Sequence, residues 1–189
     1  MQRPTVLTLA LSALLCLVLA LPAAAAETAG VEMPDEITIA GEELVLNGQG
    51  LRKKLFIKVY VAGLYLAEKS GDPDAILAAD APRHLRMHFL YDVDQGKICN
   101  AWQEGVENNR PMASDVVKNQ IDELCGMMED MEKGEEMAFT YVPDQGTTVT
   151  VGGEETGSLA SKAFADALWS TWIGPEPPGK SFREGLLGR

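Results

Sequence analysis

The chain has 189 residues, with 28 Asp or Glu against 16 Lys or Arg, and its formal net charge at neutral pH is −12. This acidic excess argues against nucleic acid or an anionic membrane as the main partner, because both repel negative charge. The length is sufficient for one domain with a hydrophobic core.

The N-terminal segment has the composition of a secretory signal peptide. Arg3 supplies a positive start, residues 6–21 are apolar, and small residues from Ala23 to Ala26 form a cleavage site. We predict a signal peptide over residues 1–26 and one exported domain over residues 27–189, periplasmic if the source is a Gram-negative bacterium. An uncleaved anchor is the alternative, because the apolar run approaches the length of a membrane span. No later segment is apolar for long enough, so no stable membrane span is expected after cleavage.

Two cysteines, Cys99 and Cys125, remain after this cleavage. An oxidising compartment favours a disulfide between them. Two buried free thiols are the alternative, because cysteine is among the most buried residue types.

Alternating apolar residues predict strands in the first half of the domain. The pattern indicates a hairpin that turns at Gly41 and ends at Asn47-Gly48, followed by a long strand over about residues 55–67. A fourth strand is predicted over residues 84–93, where Leu85, Met87 and Phe89 alternate with His84, Arg86 and His88.

Helical spacing of apolar residues begins after these strands. The spacing predicts one helix carrying Ile98, Trp102 and Val106, and a second, capped by Ser114, carrying Val117, Ile121, Leu124, Met128 and Met131. A hairpin turning at residues 144–146 follows, then a last helix capped by Ser158, carrying Leu159 and later apolar residues, and stopped by Gly174-Pro175. This order predicts an α+β fold, a large antiparallel sheet with a layer of helices on one face.

The long strand is apolar at both sets of alternating positions, and the cations Arg52, Lys53 and Lys54 precede it. Such a strand is covered on both faces, or one face lines a cavity. Counting by twos from Arg52 places Lys58 and Tyr60 on one face. Polar groups buried there need partners, since an unpaired buried charge costs several kcal/mol. The alternative is a lysine that snorkels at the edge and a tyrosine hydroxyl at the rim.

No metal site or cofactor is predicted. His84 and His88 share a strand face with Arg86, which repels a metal cation, so we interpret them as surface or edge histidines. Met127, Met128 and Met131 are interpreted as core packing, because helical spacing of apolar residues already explains them.

Three segments of this sequence carry a resemblance to a known family. The segments LNGQGLRKKLFIKVYVAGLYL (46–66), HLRMHFLYDVDQGKICNAWQEG (84–105) and ALWSTWIGPEPPGKSFREGLLG (167–188) together resemble the bacterial exported branch of the chalcone isomerase-like family. That family contains plant chalcone isomerases, plastid fatty-acid-binding proteins and members without known activity. The resemblance covers nearly all of the domain and implies an open-faced β-sandwich with a ligand cleft between sheet and helices.

The family's site residues carry over only in part. Gly50-Leu51-Arg52 resembles a glycine-x-arginine ahead of the long strand, whereas Tyr60 and Trp102 stand where the isomerases place a catalytic threonine and tyrosine. Asn109 and Thr171 match an asparagine on the first cleft helix and a threonine near the end of the last helix. No catalytic residue is assigned, because an indole only donates hydrogen bonds and cannot replace a phenol.

The resemblance implies a binding protein for a small amphipathic anion such as a fatty acid. Its ligand contacts are expected from Arg52, Lys58, Tyr60, Trp102, Asn109 and Thr171. Arg52 would pair with the carboxylate, and each buried methylene would contribute about 0.8 kcal/mol. The alternatives are an isomerase (intramolecular lyase) of unknown substrate, using Arg52 and Tyr60, and a structural or partner-binding protein whose cleft is filled by its own side chains.

Overall fold

The computed structural model describes residues 26–189, and the predicted signal peptide, apart from its last residue, lies outside the described residues. The strands are β1 (Ala26–Thr28), β2 (Val31–Met33), β3 (Glu36–Ile39), β4 (Glu42–Lys54), β5 (Ile57–Leu66), β6 (Arg83–Phe89), β7 (Glu136–Val142), β8 (Gly146–Val151) and β9 (Glu154–Leu159). The helices are α1 (Pro73–Ala78), α2 (Gln95–Asn109), α3 (Asp115–Gly126), α4 (Lys162–Ile173) and α5 (Lys180–Leu186). Among these, no helix has both the length and the apolar character needed to cross a membrane.

Strands β3 to β9 form one antiparallel sheet in which every strand pairs with its neighbour in the sequence. The first two strands form a separate hairpin. Helices α2 and α4 pack against each other, and together with α3 they bury apolar side chains against one face of the sheet. The predicted α+β fold, a large antiparallel sheet with a helical layer, is therefore confirmed.

The main core lies between the sheet and the helices. From β6, Leu85, Met87 and Phe89 point into it, as their alternation predicts. They meet the buried side chains of α4, among which Trp169 and Phe164 are fully enclosed. Burial of each such side chain stabilises the fold by about 1.5–3 kcal/mol.

A second, smaller core covers the opposite face of β5. Val61 and Tyr65 are fully buried there against Met33, Leu44 and Leu46. Both predicted alternatives apply to parts of this strand: residues 61–66 are covered on both faces, and Ile57, Val59 and Tyr60 line a cavity. The N-terminal hairpin and the start of β4 cover the side of the sheet that the helices leave open.

The predicted end of the first hairpin was wrong. Strand β4 does not end at Asn47-Gly48 but continues to Lys54, with a register shift between Leu46 and Gly48. Asn47 donates a hydrogen bond to the Leu186 carbonyl at 2.8 Å and accepts one from the Ser70 backbone, so it anchors two distant segments instead of forming a turn. Arg52 to Lys54 therefore end β4, and the long strand β5 begins only at Ile57.

The start of the last helix also differs from the prediction. Ser158 and Leu159 lie in β9, and the cap of α4 is Ser161, whose hydroxyl accepts a hydrogen bond from the Phe164 backbone at 3.2 Å. Strand β9 was missed because its sequence, EETGSL, contains one apolar residue and forms the edge of the sheet. The short helices α1 and α5 were also not predicted.

The two histidines lie on an inner strand, not on an edge. His84 contacts the Tyr65 ring and lies 2.8 Å from the Thr140 hydroxyl, and His88 lies 3.2 Å from the Glu136 carboxylate. Within residues 26–189, no three His, Cys, Asp or Glu side chains converge to hold a metal ion.

Both cysteines of the described chain are free thiols in this structure, Cys99 on α2 and Cys125 on α3. The two thiols are close enough to hydrogen-bond, and burial followed by that contact raises the pKa of Cys125 to about 12. Their disulfide stays a prediction.

Candidate ligand-binding cleft

A cleft of about 490 Å³ opens between the end of the β4–β5 hairpin and the helices. This volume lies in the range of small-molecule sites, about 300–1,000 Å³. Its walls come from β4 to β6, the following loop, α2, the end of α4 and the segment after it. The lining residues are Arg52, Lys54, Ile57, Val59, Tyr60, Met87, Phe89, Tyr91, Asp92, Val93, Lys97, Ile98, Ala101, Trp102, Glu104, Gly105, Asn108, Thr171, Trp172, Glu176, Pro177 and Pro178.

The floor of the cleft is aromatic. The Tyr60 ring on β5 packs against Phe89 on β6 at 5.6 Å between centroids, and against Phe182 on α5 at 5.7 Å. Antiparallel pairing places Tyr60 directly opposite Phe89, which explains the first contact. The floor can therefore contact an apolar ligand through aromatic rings.

The helical wall is formed where α2 and α4 approach closely. A β-carbon at Gly105 would lie 2.8 Å from the Thr171 β-carbon, so only glycine allows this approach. Trp102 from α2 is buried with its ring edge-on to Phe139 at 5.5 Å, and Trp172 from α4 packs on the same phenylalanine at 5.6 Å. The part of the wall formed by Trp102 and Trp172 is thus apolar and closely packed, and Lys97, Glu104 and Asn108 of α2 add polar groups to it.

Arg52 stands beside Tyr60 because the two residues are direct cross-strand partners on β4 and β5. The sequence predicted the same neighbours by counting along a single strand. Arg52 and Tyr60 do lie on the same face of the sheet, as predicted. They are neighbours because β4 pairs with β5 across the hairpin, and not because they alternate along one strand. The Arg52 guanidinium donates to the Lys53 carbonyl, which leaves its other N–H groups available.

The charged residues around the cleft differ in whether they are already paired. Lys97 on α2 forms an ion pair with Asp94, the residue that caps the start of this helix. Arg52 and Lys54 have no carboxylate within 4.0 Å among the described residues. They are the two lining cations whose charge an anionic ligand could neutralise.

Tyr60 is a neutral phenol at physiological pH. Burial raises its pKa to about 12, although a hydrogen bond with the Trp172 side chain and the positive charge of Arg52 act in the opposite direction. A neutral phenol can donate a hydrogen bond to an anion, but it does not supply a phenolate base near pH 7.

Four of the six residues predicted as ligand contacts line the cleft: Arg52, Tyr60, Trp102 and Thr171. The Thr171 hydroxyl already donates to the Leu168 carbonyl at 2.7 Å, so it offers a ligand only acceptor capacity. Whether these four contact a ligand stays a prediction.

The other two residues lie outside the lining, which corrects their predicted location. Lys58 is exposed at the start of β5, before the strand reaches the helical layer. Asn109 holds the segment after α4: its amide donates to the Glu176 carbonyl at 3.0 Å and its oxygen accepts from the Glu176 N–H at 2.8 Å. Its neighbour Asn108 lines the cleft instead.

Several lining residues were not anticipated from the sequence. Phe89 and Met87 were assigned to the core, and their alternation gives no sign that the core opens at this end of the strand. Pro177 and Pro178 lie in a segment without regular periodicity, which Asn109 holds beside the cleft through the Glu176 backbone.

The fold and cleft define a class of protein in which an antiparallel sheet and a helical layer enclose an amphipathic pocket. The chain belongs to the chalcone isomerase-like family, whose model matches residues 25–188. A fatty-acid binding protein of Arabidopsis thaliana has the same fold, with a TM-score of 0.68 at 22% sequence identity over 84% of this chain and 92% of that chain. Among curated protein sequences, none matches this chain.

Proposed function

We propose that this protein binds a small amphipathic anion such as a fatty acid in the cleft between sheet and helices, without catalysing a reaction. The observation that carries the proposal is the position of Arg52, a cation without a carboxylate partner in the described chain, beside Tyr60 at an aromatic cleft of about 490 Å³. A guanidinium and a neutral phenol can both donate to a carboxylate, and the apolar walls suit an acyl chain.

The comparisons support the same ligand class. The Arabidopsis protein of the same fold is a fatty-acid binding protein. The likeness at this identity concerns the fold, so the ligand is assigned here on the charge and lining of this chain's own cleft.

The absence of catalysis is proposed on the chemistry of the lining. The resemblance places Tyr60 and Trp102 where the isomerases have a threonine and a tyrosine, and a buried indole cannot accept a proton. The isomerase alternative would use Arg52 and Tyr60, and a chalcone-to-flavanone absorbance assay tests it: turnover that Arg52→Ala abolishes would favour that alternative. The alternative of a filled cleft has less support, because the space is open.

Export is proposed on the composition of residues 1–26. Cell fractionation of the source organism, with N-terminal sequencing of the protein, tests this proposal. A chain that begins at Glu27 in the exported fraction is expected.

Blocking the cleft tests the binding site directly. Ala101 lines the cleft on an exposed part of α2, so Ala101→Trp can fill the space without disturbing the core. We expect lipid extraction of the purified protein to release a fatty acid, and Ala101→Trp to lower oleate affinity about tenfold or more. Asn100→Trp, which adds the same side chain at the next exposed position outside the cleft, is the matched control. Equal oleate affinity in all three proteins would contradict the proposal.

A further inference from the structure

The turn between β4 and β5 exposes large apolar side chains to water. Leu55 is 85% exposed and Phe56 is 90% exposed, and Ile57 beside them is 38% exposed. We define these three residues as the hairpin tip. Six large apolar side chains are exposed in residues 26–189, and three of them are consecutive. Such a cluster differs from the single exposed apolar residues that are common on protein surfaces.

The hairpin tip does not contain the residues that its backbone favours. Lys54 pairs with Ile57, so Leu55 and Phe56 form a two-residue turn, and Leu55 has a φ of +56°. A positive φ at the first turn residue favours glycine, because a β-carbon there is strained. The turns Ala29-Gly30 and Ala40-Gly41 also have a non-glycine residue at positive φ in the first position, but glycine follows it in both, and Gly152-Gly153 has glycine in both positions. The turn Leu55-Phe56 differs from these in having no glycine and two large side chains that gain no burial, so folding alone does not explain its sequence.

Cations surround the hairpin tip in an unfavourable arrangement. Lys53 and Lys58 are direct cross-strand partners, and like charges in that position repel. Together with Arg52 and Lys54 they make four positive charges, none with a carboxylate within 4.0 Å among the described residues. The chain has 28 acidic residues, yet none in the described part of the chain forms an ion pair with these four cations.

Exposed apolar side chains flanked by cations are complementary to the surface of an anionic lipid bilayer. Leucine and phenylalanine enter the boundary between headgroups and acyl chains, while lysines interact with the phosphates. We propose that the hairpin tip docks the protein on anionic membranes. The hairpin tip adjoins the cleft, because Ile57 of the tip and the neighbouring Arg52 and Lys54 also line the cleft.

The net charge of −12 does not prevent such docking. At physiological ionic strength the Debye length is about 8 Å, so charges on the far side of the domain are screened from the bilayer. Arg52, Lys53, Lys54 and Lys58 flank the inserted residues and would face the headgroups directly. The net negative charge predicted repulsion from anionic membranes. That expectation holds for the molecule on average, but not for the cationic region around the hairpin tip.

The docking test uses vesicles without free fatty acid, so it is independent of the proposed ligand. Vesicles of phosphatidylcholine alone, or of equal parts phosphatidylcholine and phosphatidylglycerol, are mixed with protein and separated by flotation. The protein is expected to float only with the anionic vesicles. All proteins are tested as the full chain and as a chain beginning at Glu27, which keeps both hydrophobic clusters, because the N-terminal apolar segment could bind vesicles itself.

The double variant Leu55→Gly/Phe56→Ser separates docking from folding. Glycine relieves the strained turn, so the melting temperature is expected to stay or rise, while vesicle affinity falls about tenfold or more. Met112→Ser/Val116→Ser removes two exposed apolar side chains elsewhere, 94% and 66% exposed, and is expected to leave vesicle affinity unchanged. Lys53→Gln/Lys58→Gln is expected to lower it on the order of twentyfold.

Each other outcome overturns the proposal. If wild-type protein in the shorter chain floats with neither vesicle, the tip does not dock on membranes. If only the lysine variant loses binding, the contact is electrostatic and fits a polyanion instead. If the apolar variant changes the sedimentation coefficient but not vesicle binding, the tip joins two copies of this chain.

Discussion

Arg52 and Lys53 are adjacent cations that differ in their surroundings. Arg52 lines the cleft beside Tyr60, whereas Lys53 is exposed and pairs with Lys58. A hydrogen bond to a charged partner contributes about 1.5–3 kcal/mol, so Arg52→Ala should weaken oleate binding on the order of tenfold to a hundredfold. Titration calorimetry in the absence of vesicles measures this.

Lys53→Ala is the control for Arg52→Ala, and we expect it to leave oleate affinity unchanged. The melting temperature should barely move in either variant, because both side chains lie at the end of the hairpin, outside the two cores. Wild-type affinity in Arg52→Ala would remove the anchor role. A large loss of stability would instead make Arg52 a structural residue.

His84 should make the stability of the fold depend on pH. Burial, with the charge of Arg86 adding to it, lowers the pKa of His84 from 6.5 to about 4. Below pH 6.5 the unfolded chain binds a proton that the folded chain does not. Stability therefore falls as the pH falls from 6.5 to 4, by up to about 1.4 kcal/mol per pH unit from this group.

Urea unfolding at several pH values between 7 and 4 tests this expectation. His84→Gln, which can still bond the Thr140 hydroxyl, should lose less stability than the wild type as the pH falls. Parallel slopes for wild type and His84→Gln would show that the histidine is solvated in the folded state.

At the scale of elements, α5 packs on β4 through glycine. A β-carbon at Gly185 would overlap the Gln49 carbonyl oxygen and lie 3.1 Å from the Gly50 α-carbon. Gly185→Ala should therefore lower the free energy of unfolding by about 1–3 kcal/mol, since backbone atoms cannot move aside cheaply. Chemical denaturation measures the change.

The matched control is Gly96→Ala, near the start of α2, where an added β-carbon meets nothing within 4 Å. That change should raise the free energy of unfolding by up to about 1 kcal/mol, because alanine favours the helix. If both variants changed stability in the same direction, the contact between α5 and β4 would not be tight in solution.

At the scale of the whole molecule, the sequence predicted those strands and helices whose apolar residues recur with a regular local period. The alternation of Leu85, Met87 and Phe89 and the spacing of Ile98, Trp102 and Val106 identified β6 and α2 and their buried faces. The α+β class follows from the order of such segments. Residues whose environment comes from distant parts of the chain were harder to predict.

The site shows the same limit. Arg52 and Tyr60 were expected on one face, but their proximity arises from a hairpin whose turn, Leu55-Phe56, contains none of the usual turn residues. Asn109 was expected in the cleft, yet its amide is used by the Glu176 backbone, 67 positions later. No local pattern encodes either contact.

The hydrogen bond from Asn47 to the Leu186 carbonyl joins residues 139 positions apart. A ribosome therefore completes strands β3 to β5 long before it makes the helix that covers their glycine-lined surface. Until residues 180–187 emerge, that part of the sheet has no cover, and long-range closure of this kind is slow. The cover of β4 around Gly48 and Gly50 therefore depends on a segment that is made more than a hundred residues after the strand itself.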